Sequence, residues 1–143
     1  VIDTNLSMPA EAKMLKQAGQ TVIMTCSSDE GVSQVLKDAG AEIHVMPDGR
    51  HSVDLKSVLQ QLGDMQINDV LLESGSRLSG GMLQAGLIDE LIIYVAPVLM
   101  GNEARGLFAL PGLDEMKDKI ELDIIEQRVI GKDLRITATV KPA

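Results

Sequence analysis

The sequence predicts a three-layer α/β domain, with a mostly parallel central sheet between helices and antiparallel strands at one edge. Two observations carry this. Short apolar runs alternate four times with segments of helical period, and each helical segment is followed by a glycine, at 19, 40, 63 and 86. The tail then changes period: Leu134, Ile136, Ala138 and Val140 alternate with Arg135, Thr137, Thr139 and Lys141, one face apolar and the other polar. A length of 143 residues suits one domain burying roughly two-thirds of its unfolded surface.

In chain order, Val1-Ile2-Asp3 reads as the end of a strand already under way, so the chain is expected to be a fragment of something longer, lacking the N-terminal strand or strands of its domain. Ser7 is placed to cap a helix starting near Pro9, where a missing N–H costs nothing, with Ala12, Leu15 and Ala18 inward and Gly19 as its end. Residues 21–26 are β-branched and apolar, a buried strand. Ser28 or Asp29 caps a second helix whose Val32, Val35, Leu36 and Ala39 share a face. Residues 42–46 form a short strand and 47–51 a loop. Asp54 caps a third helix carrying Leu55, Val58, Leu59 and Leu62 on one side, closed by Gly63. A fourth strand is expected at Val70 to Leu72, and a fourth helix, with Leu78, Met82 and Leu83 on one face, ends at Gly86. Residues 91–97 are a long apolar strand, with Pro97 where no ladder donor is needed. A loop spans 101–112, and a hairpin joins 120–129 to 134–140 through Gly131-Lys132-Asp133.

Composition removes several function classes. Thirteen Lys and Arg stand against 21 Asp and Glu, a net charge of −8, which argues against a nucleic-acid partner. No run approaches the ~20 apolar residues of a membrane span, and no signal-peptide pattern is read. Cys26 is the single cysteine, so no intrachain disulfide forms, which fits a reducing cytoplasm. With one Cys, and with His44 and His51 outside any ligand pattern, no metal site is expected. Tyr94 and Phe108 are the only aromatics, so the core is aliphatic with Met as filler.

The stretch from Asp69 to Gly86 carries the chemistry. An apolar run ends in Glu73, a small-residue turn Ser74-Gly75-Ser76 follows, and a helix begins. Strand, turn and helix in that order aim free backbone N–H groups at an anion. Gly75, Gly80 and Gly81 let a phosphate approach the backbone, Ser76 and Ser79 add hydroxyl donors, and Arg77 adds a charge able to make two hydrogen bonds. The same residues also suit a tight structural turn with no ligand, and the spacing is neither G-x-G-x-x-G nor a Walker loop, so on pattern alone the two readings stand level. Glu73 is placed at the strand end where ligand crevices of open α/β sheets lie, or caps the following helix. Arg77 as a solvated helix charge stands slightly ahead of a 2′-phosphate contact, because a single Arg in a first helical turn is common.

Residues 72–101, from Leu72-Glu-Ser-Gly-Ser-Arg-Leu-Ser-Gly-Gly81 through Ala85-Gly-Leu-Ile-Asp-Glu-Leu91 to Ala96-Pro-Val-Leu-Met-Gly101, resemble the reductase domain of the bifunctional riboflavin-biosynthesis deaminase/reductase. Asp3-Thr4 matches that family's early Asp-Ser or Asp-Thr turn, and Ala104-Arg-Gly-Leu107 with Leu110-Pro-Gly-Leu113 continues the likeness. It is specific over 67–113 and loose over 20–60. The resemblance implies a dihydrofolate-reductase-like fold, NADPH as cofactor, a cytoplasmic homodimer, and a small phosphorylated pyrimidine as substrate. It implies reduction of 5-amino-6-(5-phosphoribosylamino)uracil to the phosphoribitylamino product. It carries cofactor contacts onto Thr4, Gly75, Ser76, Arg77, Leu78, Ser79, Gly80 and Gly81, and substrate binding onto Glu73. The family's zinc deaminase domain, with its His-x-Glu and Pro-Cys-x-x-Cys motifs, is absent from these residues and is expected as a fusion partner in the full-length protein. The first third of the reductase, which supplies most substrate-phosphate and ribose contacts, is absent as well.

Three other roles fit parts of the sequence. One is a non-catalytic nucleotide-binding or dimerisation module of the same fold. Another is a dihydrofolate-reductase-type enzyme acting on a pteridine, against which the scarcity of aromatics speaks. The last is a purely structural assembly domain using the apolar face of the final hairpin.

Overall fold

The computed structural model describes residues 1–141. They gather into two compact units, Val1–Asp69 and a second beginning at Val70.

The first unit is built on two parallel strands, β1 (Thr21–Thr25) and β2 (Ala41–Val45), paired from Thr21 opposite Ala41 to Thr25 opposite Val45. Ile2 adds a parallel bridge to Met24, the strand end read at the start of the chain. Between β1 and β2 runs helix α1 (Glu30–Asp38), and after β2 comes α2 (Leu55–Asp64). Successive residues of β1 point to opposite faces, and both faces are covered. On one, Ile23 packs with Leu36 of α1, Leu6 and Ala41; on the other, Met24 packs with Val58 of α2 and with Val53. A strand buried on both sides is apolar without alternation, the form residues 21–26 take.

The caps fall where expected. Asp29 begins α1, its carboxylate accepting from the Val32 amide at 3.0 Å, and Asp54 begins α2, accepting from Lys56 and Ser57. Two expectations fail in this unit. The helix from Pro9 to Gly19 reduces to a 3-10 turn, Lys13–Lys16, and Ala18 is exposed. An 11-residue segment that buries so little has no tertiary packing to sustain an α-helix, which is marginal alone at that length. Ser7 caps nothing there; its hydroxyl donates to Asp3 at 2.9 Å. Gly63 likewise lies inside α2, and the left-handed residue that follows the helix is Gln66, with φ 64°.

The second unit holds helix α3 (Ser76–Gln84) and a three-stranded antiparallel sheet in the order β3 (Glu90–Val95), β5 (Asp133–Val140), β4 (Leu122–Ile130). The expected hairpin is present, with Ile130 opposite Asp133, so only Gly131 and Lys132 lie in the turn. Gly131 takes φ 62°, a left-handed value glycine adopts without penalty. A bulge separates Ile124 from Glu126. The central strand β5 carries the buried residues Thr137 and Ala138, whereas β4 carries none. The fourth parallel strand at Val70 to Leu72 does not form: the run belongs to no strand among the described residues, and Leu71 is 78% exposed. An apolar run becomes a strand only with a partner to complete its ladder. The molecule is thus a mixed α/β protein with a parallel pair and an antiparallel hairpin.

Candidate anion and cofactor site

Two places gather the residues singled out above, one in each unit.

In the second unit, Gly75 is the N-cap of α3, with φ −74° and ψ 165°. A glycine there supplies no side-chain acceptor, and no side chain caps this helix among the described residues. α1 and α2 differ, since an aspartate oxygen fills the first turn of each. The opening amides of α3 are therefore left for solvent or a ligand, with the positive end of the helix dipole behind them. No atom lies within 4 Å of where a Cβ on Gly75 would stand, so its side-chain position is uncrowded. Beside it the Ser74 and Ser79 hydroxyls share a hydrogen bond of 2.8 Å. Glu73 and Arg77 are both exposed, and neither forms an ion pair among the described residues.

The remaining members of the segment have packing duties. Leu78 is half-buried, on the side of the helix that buries Met82 and Leu83, so it offers an anion its amide and not its side chain. Gly80 is buried: a Cβ there would overlap the Ala109 carbonyl oxygen and stand 2.9 Å from its carbon. The missing side chain at 80 is thus accounted for by chain packing. Gly81 is partly buried on the same helix.

In the first unit, an open cleft of about 480 Å³ lies at the C-terminal end of β1, lined by Thr4, Asn5, Cys26, Ser27, Ser28, Asp29 and His51. Thr4 is held by its carbonyl, which accepts from the Thr25 hydroxyl at 3.0 Å and the Cys26 amide at 3.3 Å. Thr25 is fully buried, and its oxygen also accepts from the Ser27 amide. The loop is clamped from its other side by Asp3, whose carboxylate takes the Ser7 hydroxyl and the Met8 amide. Burial pushes the Asp3 carboxyl up, but the combined hydrogen bonds from Ser7, Met8 and Asn5 outweigh it and hold the group below its ordinary value. His51 adopts a left-handed backbone, φ 63°.

Of this lining only Thr4 was singled out by sequence as a contact. Ser28 and Asp29 were legible as caps and Cys26 as part of a strand, but Asn5, Ser27 and His51 carry no motif. The available signal was positional, because crevices of parallel sheets open at the carboxyl ends of their strands. Three hydroxyl side chains, Thr4, Ser27 and Ser28, line the cleft, and Asp29 already occupies the α1 terminus. Among the described residues, no group of three or more His, Cys, Asp or Glu is arranged to hold a metal. No helix among them is long and apolar enough to cross a membrane.

Parallel strands flanked by helices in one unit, and an antiparallel sheet with an uncapped glycine-led helix in the other, make this a mixed α/β protein. Comparison with known proteins then fixes the family. The model of the RibD C-terminal domain matches residues 1–136, and the chain belongs to that family. It is 36% identical over 139 residues to the riboflavin biosynthesis protein RibD of Escherichia coli, covering 94% of this chain and 35% of that protein. It is 35% identical over 144 residues to the 2,5-diamino-6-ribosylamino-4(3H)-pyrimidinone 5′-phosphate reductase of Methanothermobacter thermautotrophicus, covering 99% of this chain and 65% of that one. Among solved structures, RibD of Acinetobacter baumannii superposes with a TM-score of 0.84 at 31% identity, over 98% of this chain and 36% of that chain. The chain therefore spans about a third of the RibD proteins it matches.

Proposed function

We propose that this chain is the reductase domain of a riboflavin-biosynthesis enzyme, of dihydrofolate-reductase-like fold, that reduces 5-amino-6-(5-phosphoribosylamino)uracil to its 5-phosphoribitylamino product with NADPH in the cytoplasm. The observation that carries the reading is the open N-terminus of α3, uncapped behind Gly75 where α1 and α2 are filled by Asp29 and Asp54. The names of the relatives support the substrate class: one is a 5-amino-6-(5-phosphoribosylamino)uracil reductase of Buchnera aphidicola, 28% identical over 146 residues.

The residues present fit a phosphorylated dinucleotide. Amides at the start of α3, with Ser76 and Ser79, would hold phosphoryl oxygens, and Arg77 adds a mobile cation; Gly81 and Leu78 contribute backbone. Thr4, which lies in the other unit, stands as a cofactor contact on the family resemblance alone. The cofactor supplies hydride when bound. Glu73 accepts hydrogen bonds from substrate N–H groups and favours the cationic, ring-opened imine whose C1′ is to be reduced. Its role is electrostatic positioning, with no proton transfer assigned to it.

Titration with NADPH followed by turnover on the pyrimidine tests the reading. NADPH consumed in proportion to phosphoribitylamino product is the expected result; NADPH bound without turnover instead makes the chain a nucleotide-binding module. Turnover of dihydrofolate would favour the pteridine reading, which two aromatic residues serve poorly. Glu73→Gln is expected to lower kcat/KM on the order of tenfold, the scale of one hydrogen bond to a charged group. A wild-type rate in that variant removes Glu73 from the mechanism. The reading also includes a homodimer, checked by sedimentation of the purified chain.

A further inference from the structure

The loop between β3 and β4 touches α3 at three places. The Ala109 amide donates to the Ser76 carbonyl at 2.9 Å, the Ala109 carbonyl lies against Gly80, and the Gln84 side-chain amide donates to the Pro111 carbonyl at 2.8 Å. Ser76, Gly80 and Gln84 stand four residues apart, a single stripe along the helix. Ser76 is the first residue of α3 and Gln84 its last, so the contacts span the whole element. Eight residues of helix rise about 12 Å, and the two residue steps from Ala109 to Pro111 cover about 7 Å when extended, so the reach of the Gln84 side chain closes the remainder. Nothing at Gly80 but hydrogen would admit the strand of backbone lying across it.

We infer that residues 109–111 are a strap that positions α3, and that Gly80 and Gln84 are positioning residues for the phosphate-binding amides at the head of that helix. The inference rests on the cofactor reading above, and gives it a mechanical basis. An anion site made of backbone amides is only as good as the placement of its helix, and errors well under an ångström are costly. α3 has no side-chain cap to fix its first turn. The strap supplies that fixation from the flank, with an external amide on the Ser76 carbonyl, and leaves the axial end open. Gly80 therefore serves the site through Ala109 and not by touching the phosphate.

The test compares the unsubstituted full chain with Gly80→Ala, Gln84→Ala and Gln84→Lys, measuring the NADPH dissociation constant, the KM for the pyrimidine and the melting temperature. Gln84 is exposed, so Gln84→Ala is expected to keep its melting temperature and pyrimidine KM while binding NADPH about fivefold more weakly, the scale of one hydrogen bond. Gln84→Lys, which retains a donor, recovers most of that loss. Gly80→Ala is expected to weaken NADPH about tenfold or more, as overpacking does; should it fail to fold, the Gln84 pair decides alone. Unchanged NADPH affinity in every folded variant overturns the strap while leaving the proposed function intact. Equal losses in NADPH affinity, pyrimidine KM and melting temperature also overturn it, because they report general loosening. A wild-type chain that binds no NADPH fails one step earlier, overturning the proposed function and the inference with it.

Discussion

Both α-helices of the first unit begin on an aspartate that fills its own opening turn, while α3 in the second begins on a glycine that fills nothing. The apolar residues divide in the same way. β1 places Ile23, Met24 and Thr25 at 2% exposure or less, whereas in the second unit Ile125 and Val129 of β4 are 60% and 78% exposed. In the first unit both α-helices carry their own caps and β1 is covered on both faces, although Val35 of α1 and Val45 of β2 stay more than half exposed. In the second, Met82, Leu83, Leu91 and Ala138 are buried, but the head of α3 is uncapped and β4 is exposed along most of its length. Local stability is concentrated where groups are internally paired, and under the proposed cofactor reading the unpaired amides of α3 are the donors a ligand would use.

Substitutions can break this contrast at several points. The largest effect is expected in the first core: Ile23→Ala should cost about 3 kcal/mol in thermal or denaturant unfolding, while Val129→Ala on β4 should stay within about 0.5 kcal/mol. Similar losses at both sites would erase the distinction. Next is a cap introduced at α3. Gly75→Asp has room for its side chain and a backbone suited to capping, so stability should hold or rise by a few tenths of a kcal/mol. NADPH affinity should meanwhile fall about tenfold as the carboxylate takes the amides and repels phosphate. The mirror experiment, Asp54→Ala, should cost about 1 kcal/mol of stability by removing a cap with two amide partners.

The smallest effect concerns acid. The folded-state value of Asp3 lies below the ordinary 3.8, so its carboxylate contributes stability in full above that pH and loses the contribution as pH falls through the folded value. Asp3→Asn should therefore be slightly less stable near neutrality and show a shallower decline below about pH 4 in melts across pH. An acid limb unchanged by the substitution would show that the Ser7 and Met8 donors do not distinguish the charged form.

Legibility in the sequence follows the same boundary between local and partnered structure. Caps, helix periods and the final hairpin are written in residues a few positions apart, and Asp29, Asp54, Gly86 and Gly131 stand where those rules put them. The 70–72 strand and the 9–19 helix were not legible, because an apolar run or a good helical composition states a need for cover without naming what provides it. At the site, Gly75 and Ser79 were readable as parts of a turn able to meet an anion. The packing role of Gly80 was not, since it depends on Ala109, far along the chain. The first unit's cleft was missed for a similar reason: Asn5, Cys26 and His51 come together only after β1 and its loops fold.

The two-residue turn at Gly131-Lys132 also has a consequence for how the chain acquires its shape. β4 and β5 need close only the shortest of loops, an event on the order of microseconds, whereas β3 reaches β5 across the whole span from 96 to 132. Loop-closure entropy favours the hairpin as the earlier product, with β3 recruited afterwards onto the free edge of β5. The strap closes onto α3 across a comparable stretch, from Gln84 to Ala109, so its docking carries a loop cost of the same order as that of β3.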